Sequence, residues 1–172
     1  MMTIASRSIV REFRPSDVPA LNALHNDPEV AAQLLQVPFT TDAERAEWVR
    51  QSPVQRSLVV ELDGEPVGLL GLTIHTRRRS HVGSLGMAIR RDVQGRGLGA
   101  MLLGAAVDLA DNWYNLRRVE LEVYTDNTSG IRLYQSFGFE IEGTMRAFGF
   151  RLGEYVDAYK MARLHDGPVL RR

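Results

Sequence analysis

A single domain of mixed α/β (α+β) class is what this sequence predicts, from three observations. An Asp63-Gly64 pair separates two β-rich runs, 58–62 and 67–74, and Asp-Gly readily supplies the positive φ angles of a type I′ hairpin turn. Leu98, Met101, Leu102, Ala105, Ala106, Leu109 and Trp113 recur at i, i+3, i+4, i+7, i+8, i+11 and i+15, the apolar stripe of a helix of about four turns. That helix lies between strand-like runs at 81–89 and 117–124, and strand, helix, strand in that order implies a parallel βαβ unit. Finally, 140–150 and 155–164 flank a Leu152-Gly153-Glu154 turn, a terminal hairpin. The 172 residues contain no repeat, linker or low-complexity block, so residues 1–165 are expected to form one domain and 166–172 a tail.

The elements run in order along the chain. Residues 4–13, with Ile4, Val10 and Phe13, read as a strand, and Pro15-Ser16-Asp17 as a helix start with Ser16 as its cap. Val18, Leu21 and Leu24 then repeat at helical spacing to about Asn26, and Pro28 to Leu35 suits a second short helix. Thr41 caps a run from Asp42 to Gln51, with Trp48 expected on its buried side and Pro53 as its stop. Arg77 to Ser80 forms a turn whose three arginines are expected to be solvated. In 117–124, Val119, Leu121 and Val123 share one face and Glu120, Glu122 and Tyr124 the other. Asp126-Asn127-Thr128-Ser129 opens a short helix carrying Ile131 and Tyr134, which Phe137-Gly138-Phe139 ends.

Composition narrows the chemistry. Lys+Arg and Asp+Glu are both 21, so the basic field that dominates nucleic-acid affinity is missing. With no cysteine, thiolate metal sites and cysteine nucleophiles are excluded, and no metal is expected. Lys160 is the sole lysine, so anions must be held by arginine or main chain. No apolar run reaches the ~20 residues of a membrane span or forms a signal peptide, and a cytoplasmic protein is expected.

The densest signal is Arg90 to Ala100, where Gly95, Gly97 and Gly99 fall within five positions between a strand and the long helix. Missing Cβ atoms and unpaired N–H groups at a helix start suit a diphosphate held without lysine. Gly95 to Ala100 also fits the dinucleotide pattern G-x-G-x-x-A, with Glu120 near the offset of a ribose-binding acid. In that fold the first glycine directly follows the strand, whereas Arg90 to Gln94 intervene here, and the antiparallel hairpins leave too few βαβ units to complete it.

Read as Q-x-x-G-x-G, Gln94 through Gly97 to Gly99, the loop resembles the coenzyme A loop of the GCN5-related N-acetyltransferase (GNAT) superfamily. Asn127 to Phe139 is similar to its N-x-x-x-x-x-x-Y-x-x-x-G-F signature, and the element order is similar over nearly the whole chain. Arg78 to Val82, Asp111-Asn112-Trp113, Phe139 to Thr144 and Gly153 to Tyr159 resemble the bacterial branch that acetylates the α-amine of free L-amino acids. Its relatives modify ribosomal-protein N-termini or phosphinothricin-like compounds. The resemblance implies a mostly antiparallel mixed sheet of about seven strands with a central parallel pair, flanked by helices, and acetyl-CoA as co-substrate.

Acetyl transfer from a thioester to an amine needs a deprotonated nucleophile, a stabilised oxyanion and help for the departing thiolate. The resemblance assigns coenzyme contacts to Met87, Ala88 and Ile89 and to Gln94, Gly95, Arg96, Gly97, Leu98 and Gly99, with Asn127 and Arg132 adding polar contacts. Asn127 would also cap its helix. Tyr134 stands where the superfamily places its acid, although its ring would also pack beside Phe137. Full proton transfer from a free tyrosine (pKa ~10) to a thiolate (~8.5) is uphill by ~2 kcal/mol, which favours hydrogen bonding over early transfer. Glu122, twelve positions before Tyr134, is the candidate base through a water, or else a solvated or arginine-paired carboxylate. His81 is the second candidate, and His75 and His165 read as surface residues.

The acceptor is expected to be a small amine, a free and hydrophobic L-amino acid first and a peptide N-terminus second, recognised by Leu35, Phe39, His81, Phe148 and Tyr155. The same apolar residues would also suit a subunit contact, since many relatives are homodimers. An acyl-CoA sensor without turnover is the non-enzymatic alternative.

Overall fold

The computed structural model describes residues 7–51 and 55–167. Ile4, Pro53 and residues 168–172, read above as strand, helix stop and tail, lie outside them. The elements are β1 (Ser8–Glu12), α1 (Val18–Asn26), α2 (Pro28–Ala31), α3 (Asp42–Arg50), β2 (Gln55–Leu62), β3 (Glu65–Ile74), β4 (Val82–Ile89), α4 (Leu98–Asp108), β5 (Arg118–Tyr124), α5 (Thr128–Ser136), β6 (Glu140–Arg151) and β7 (Glu154–Leu164). The strands are hydrogen-bonded in the order β1-β2-β3-β4-β5-β7-β6, with β4 and β5 a parallel pair at the centre and β1-β2, β5-β7 and β6-β7 antiparallel. This is the mixed α/β class expected. The chain divides into two compact units, one running to Gly71 and including Met87–Ala105, the other made of Leu72–Gly86 and the chain from Ala106.

In the first unit the β2-β3 turn has φ of +51° at Asp63 and +89° at Gly64, as Asp-Gly predicts for a type I′ turn. Leu21 of α1 packs with Val59 and Leu69 and against Phe13, while Leu24, Val30 and Ala88 form a second cluster with Leu34. The entry to α1 differs from expectation. Pro15–Asp17 is a 3-10 turn, Ser16 is exposed, and Asp17 takes the structural role. Its carboxylate accepts two bonds from the Arg11 guanidinium (2.7 and 2.8 Å) and one from Arg14 N (2.7 Å). Burial pushes the Asp17 carboxyl up, but the hydrogen bonds from Arg11 and Arg14 hold it below its ordinary value. A serine hydroxyl offers no comparable charge to Arg11.

Helix α2 stops at Ala31, four residues short of Leu35, with Asp27 capping its start. At α3 the Thr41–Glu44 capping box forms as the sequence implies. Trp48, however, is 42% exposed, and Arg45 is the buried residue of α3. The segment DAERAEWVR has no apolar stripe, so polar anchoring orients it. Asn22 Nδ2 donates to Thr40 O (2.8 Å) and Asp42 Oδ1 (2.7 Å), turning the Asp42–Arg45 side towards α1.

In the second unit Val119, Leu121 and Val123 are buried as expected, with Glu120 and Tyr124 buried on the opposite face. The β4-β5 ladder holds three register pairs, Val82↔Arg118 to Ser84↔Glu120, although both strands run on. Leu85 and Gly86 therefore lie beyond the last pair, as do Leu121 and Glu122. After α4, Leu109–Trp113 is a π-helical turn closed by Tyr114 N donating to Leu109 O. The wider turn shifts the helical phase, so Trp113 is 75% exposed and not part of the stripe. Met101 is exposed too, while Leu103 and Ala110 are buried. His165 is tied to Arg117 O through its N–H.

Candidate active site

In the first unit β4 ends at Ile89, a 3-10 turn covers Arg91–Val93, and the glycine loop leads into α4. Gly95 and Gly97 have φ of +77° and +81°, and a Cβ built on either meets nothing within 4 Å. The loop therefore needs glycine for its backbone and leaves open space beside it. Met101 N donates to Gly97 O, the first bond of α4, so the N–H groups of Leu98, Gly99 and Ala100 have no partner within the helix. These donors and this space fit a diphosphate. Gln94 does something else with its side chain, whose Nε2 donates to Ile89 O (2.9 Å) and closes the turn. Arg90 is paired with Asp92, and Arg91 with Glu29 and Asp27. Arg96 is exposed and makes no ion pair with a described residue. Of Met87, Ala88 and Ile89, Ala88 is buried in the Leu24 cluster.

In the second unit α5 and β5 carry the candidate acid and base. Asn127 caps α5, its Oδ1 accepting Gly130 N (3.0 Å), and Arg132 is exposed with Nε donating to Thr128 O (3.3 Å). Tyr134 is buried, its ring edge-on to Phe139 (centroids 6.0 Å apart) and not to Phe137 as the sequence suggested. Its hydroxyl makes no hydrogen bond with a described residue, and burial pushes its pKa up to about 12. Glu122 is half-exposed and receives a 2.6 Å hydrogen bond from Lys160, its register partner on β7. Lys160 is the partner that sequence reasoning missed; only the strand register could have found it.

Glu120 is buried among cations. Arg79 Nη2 donates to its Oε1 (2.7 Å), Arg118 Nε to its Oε2 (2.9 Å), and Lys160 Nζ lies 3.3 Å away. Burial pushes its carboxyl up, but the hydrogen bonds from Arg118 and Arg79 with the charge of Lys160 bring it down to about 2. A carboxylate so held is no base near neutrality, and Arg79 is engaged, not simply solvated. His75 is likewise no plain surface residue, because its Nε2 lies 2.7 Å from Ser84 Oγ. His165 Nδ1 lies 3.7 Å from Asp111. His81 precedes β4 and its carbonyl accepts the Arg117 and Arg118 N–H groups. That places it level with the start of β5, five residues or roughly 16 Å along the strand from Glu122.

The acceptor candidates fall in two places. Leu35 and the 91% exposed Phe39 lie in the α2-α3 segment of the first unit, which is fixed by Asn22 and Asn26, both donating to Thr40 O. In the second unit Phe148 meets Tyr124 edge-on (6.4 Å), and Phe150 meets the exposed Tyr155 (5.1 Å). Arg151 stacks over Tyr124 (4.5 Å) and pairs with Asp126, a cluster the sequence reading did not single out. Among the described residues no group of three or more His, Asp or Glu is placed to hold a metal ion, and no helix is long and apolar enough to cross a membrane.

Comparison with known proteins adds to this geometry. The sequence model of the acetyltransferase (GNAT) family matches residues 19–139. The L-amino acid N-acetyltransferase AaaT of Escherichia coli is 38% identical over 160 residues, covering 92% of this chain and 99% of the relative. The E. coli spermidine N(1)-acetyltransferase is 27% identical over 157 residues, 88% and 83% of the two chains. The yncA protein of Salmonella typhimurium, solved with acetyl-CoA, superposes with a TM-score of 0.81 at 22% identity over 95% and 99% of the two chains.

Proposed function

Because the chain belongs to the acetyltransferase (GNAT) family and is an acetyl-CoA-dependent N-acetyltransferase, we propose that its acceptor is the α-amine of a free L-amino acid, with apolar side chains favoured. The observation that carries this reading is the similarity to an L-amino acid N-acetyltransferase over 99% of that relative's length. The aromatic pairs Phe148–Tyr124 and Phe150–Tyr155 support the apolar preference.

Acetyl-CoA supplies an activated acyl group on a thiol leaving group. The chain's own residues divide the remaining work. Main-chain N–H groups of the 94–99 loop and the first turn of α4 hold the diphosphate, with Arg96 adding charge. The main chain at Met87 to Ile89 would hold the pantetheine arm and would offer an N–H to the thioester oxygen. Asn127 and Arg132 add polar contacts. Tyr134, which burial keeps protonated near neutral pH, donates a hydrogen bond to the departing sulfur. Glu122 keeps Oε2 clear of Lys160, whose bond goes to Oε1, and Oε2 accepts from a water that takes the amine proton. An α-amine titrates near ~8, so at neutral pH little help is needed. The chain works as a homodimer in this reading, supported by the exposed Leu152 in the β6-β7 turn and tested by light scattering.

The test is thiol release from acetyl-CoA with a panel of L-amino acids, short peptides and spermidine. Turnover highest with apolar L-amino acids is expected. Turnover confined to peptides or to spermidine overturns the acceptor assignment, and coenzyme binding without acceptor-dependent thiol release overturns the enzymatic reading.

A further inference from the structure

The β4-β5 ladder ends at Ser84↔Glu120, and beyond it β5 continues in register with β7, where Glu122 faces Lys160. Glu122 is thus the first residue of its strand face past that ladder. Its side chain is 37% exposed, and a long polar side chain left to water samples many rotamers, which cost up to ~2 kcal/mol to fix. Lys160 fixes this one, its Nζ donating to Oε1 at 2.6 Å. Lys160 is itself held. Its Nζ lies 3.3 Å from Glu120 Oε1, and Glu120 is anchored by Arg79 (2.7 Å) and Arg118 (2.9 Å), with Arg118 forked onto both oxygens of Glu142 (2.7 and 2.5 Å). Ser84 Oγ, which contacts His75, lies 3.5 Å from the same Glu120 oxygen. On β6 the register partner of Lys160 is Gly143, which has no side chain to draw the ammonium away from β5. All these residues belong to the second unit.

Resting on the reading of Glu122 as the base, we infer that Lys160 is its positioning residue, anchored by Glu120 and pinning Glu122 by one oxygen so that the other stays available to the water that takes the amine proton. The residue type fits this role. Lys160 is the sole lysine of the chain, and an ammonium is a point charge that reaches two carboxylates through one oxygen of each. A guanidinium binds a carboxylate as a fork, as Arg118 does Glu142, and at this position it would occupy both oxygens of Glu122.

The experiment measures kcat and KM at pH 7 and pH 9 in the full-length protein, with acetyl-CoA and the acceptor of highest turnover among the L-amino acids, peptides and spermidine named above. Wild type is compared with Lys160→Met, Glu122→Gln, the two combined, and Lys160→Arg, with melting curves to establish folding. Lys160→Met should lower kcat at pH 7 by about three- to tenfold, no more than Glu122→Gln does, with acetyl-CoA KM within about threefold and the deficit shrinking towards pH 9. In the Glu122→Gln background the same substitution should change kcat by less than about twofold, because the group it positions is already gone. Lys160→Arg, which keeps the charge, should lower kcat by a similar factor. A merely structural lysine would instead give losses that add and do not vary with pH.

A folded Lys160→Met with wild-type kcat, beside a slow Glu122→Gln, overturns the inference and leaves Glu122 as the base. So do losses that add in the combined variant. Should Lys160→Met fail to fold, the same comparison in Lys160→Arg decides. If Glu122→Gln turns over at the wild-type rate, the reading of Glu122 as the base fails and the inference falls with it, an outcome distinct from the others.

Discussion

Gly97→Ala separates backbone strain from ligand contact at the coenzyme loop. The residue sits at φ +81°, where an L side chain costs about 1–2 kcal/mol. Nothing lies within 4 Å of the added methyl, so no clash within the protein adds to that cost. At 2–4 °C per kcal/mol for a chain of this size, Tm should fall by about 2–8 °C. The same methyl occupies the space assigned to the diphosphate. Displacing one charge-assisted hydrogen bond costs about 1.5–3 kcal/mol, which is roughly a 10- to 150-fold rise in the Kd for CoA. Gly64→Ala is the matched control, because it shares the positive φ (+89°) and the empty surroundings but lies in the β2-β3 turn. It should show the same drop in Tm and no change in Kd. Calorimetric titration of CoA into the three proteins reads the affinity, and melting curves of the same samples read the strain. Wild-type affinity in Gly97→Ala, or an equal loss in Gly64→Ala, would refute the assignment of the diphosphate to this loop.

Three further outcomes are expected. Tyr134→Phe should lower kcat by about 100-fold or more with acetyl-CoA KM within threefold, and Tm should hold because the hydroxyl has no partner among described residues; near-normal turnover removes Tyr134 from the mechanism. Glu122→Gln should slow turnover at pH 7 by about tenfold or more, with the deficit shrinking towards pH 9 as the acceptor amine deprotonates unaided; a deficit independent of pH rejects Glu122 as the base. Glu120→Gln should destabilise the fold by about 3 kcal/mol at pH 7, since Arg118, Arg79 and Lys160 lose their shared carboxylate. The sign is that of a depressed folded pKa: Glu120's contribution is complete above its unfolded value, near 4.5, and is lost as pH falls towards about 2. Urea unfolding at pH 7 and pH 3 should show the gap between wild type and variant narrowing, and a constant gap would show that packing rather than charge accounts for it.

The parts of this fold that are legible in the sequence are those whose cause is local. Asp63-Gly64, the Thr41–Glu44 box and the positive-φ glycines at 95 and 97 each answer a demand made within a few residues, and the structure meets each in place. Trp48 and Trp113 depart from expectation because hydropathy alone does not reveal a side chain's partners. The π turn rotates Trp113 outward, and the polar face of α1 turns α3 so that a charged residue is buried and an indole exposed. The same limit governs the site. Glu120 and Glu122 are two residues apart on one strand face and are equivalent by spacing alone. What distinguishes them comes from elsewhere in the chain, from Arg79 before β4, Arg118 two residues earlier and Lys160 on β7. Those three cations consume both oxygens of Glu120, whereas Glu122 meets one of them at one oxygen.

Tyr134 carries the point into mechanism. As a free side chain its proton would pass to a thiolate at a cost of ~2 kcal/mol; burial raises the hydroxyl to about 12, and the same desolvation would raise a thiol departing beside it, so the transfer stays uphill. The proposed role is therefore hydrogen bonding to the sulfur, with proton movement late. A buried hydroxyl with no competing partner among the described residues is instead well suited to donate a hydrogen bond that strengthens as charge grows on sulfur. The proposed role therefore rests on the position and free hydroxyl of Tyr134, not on its acidity.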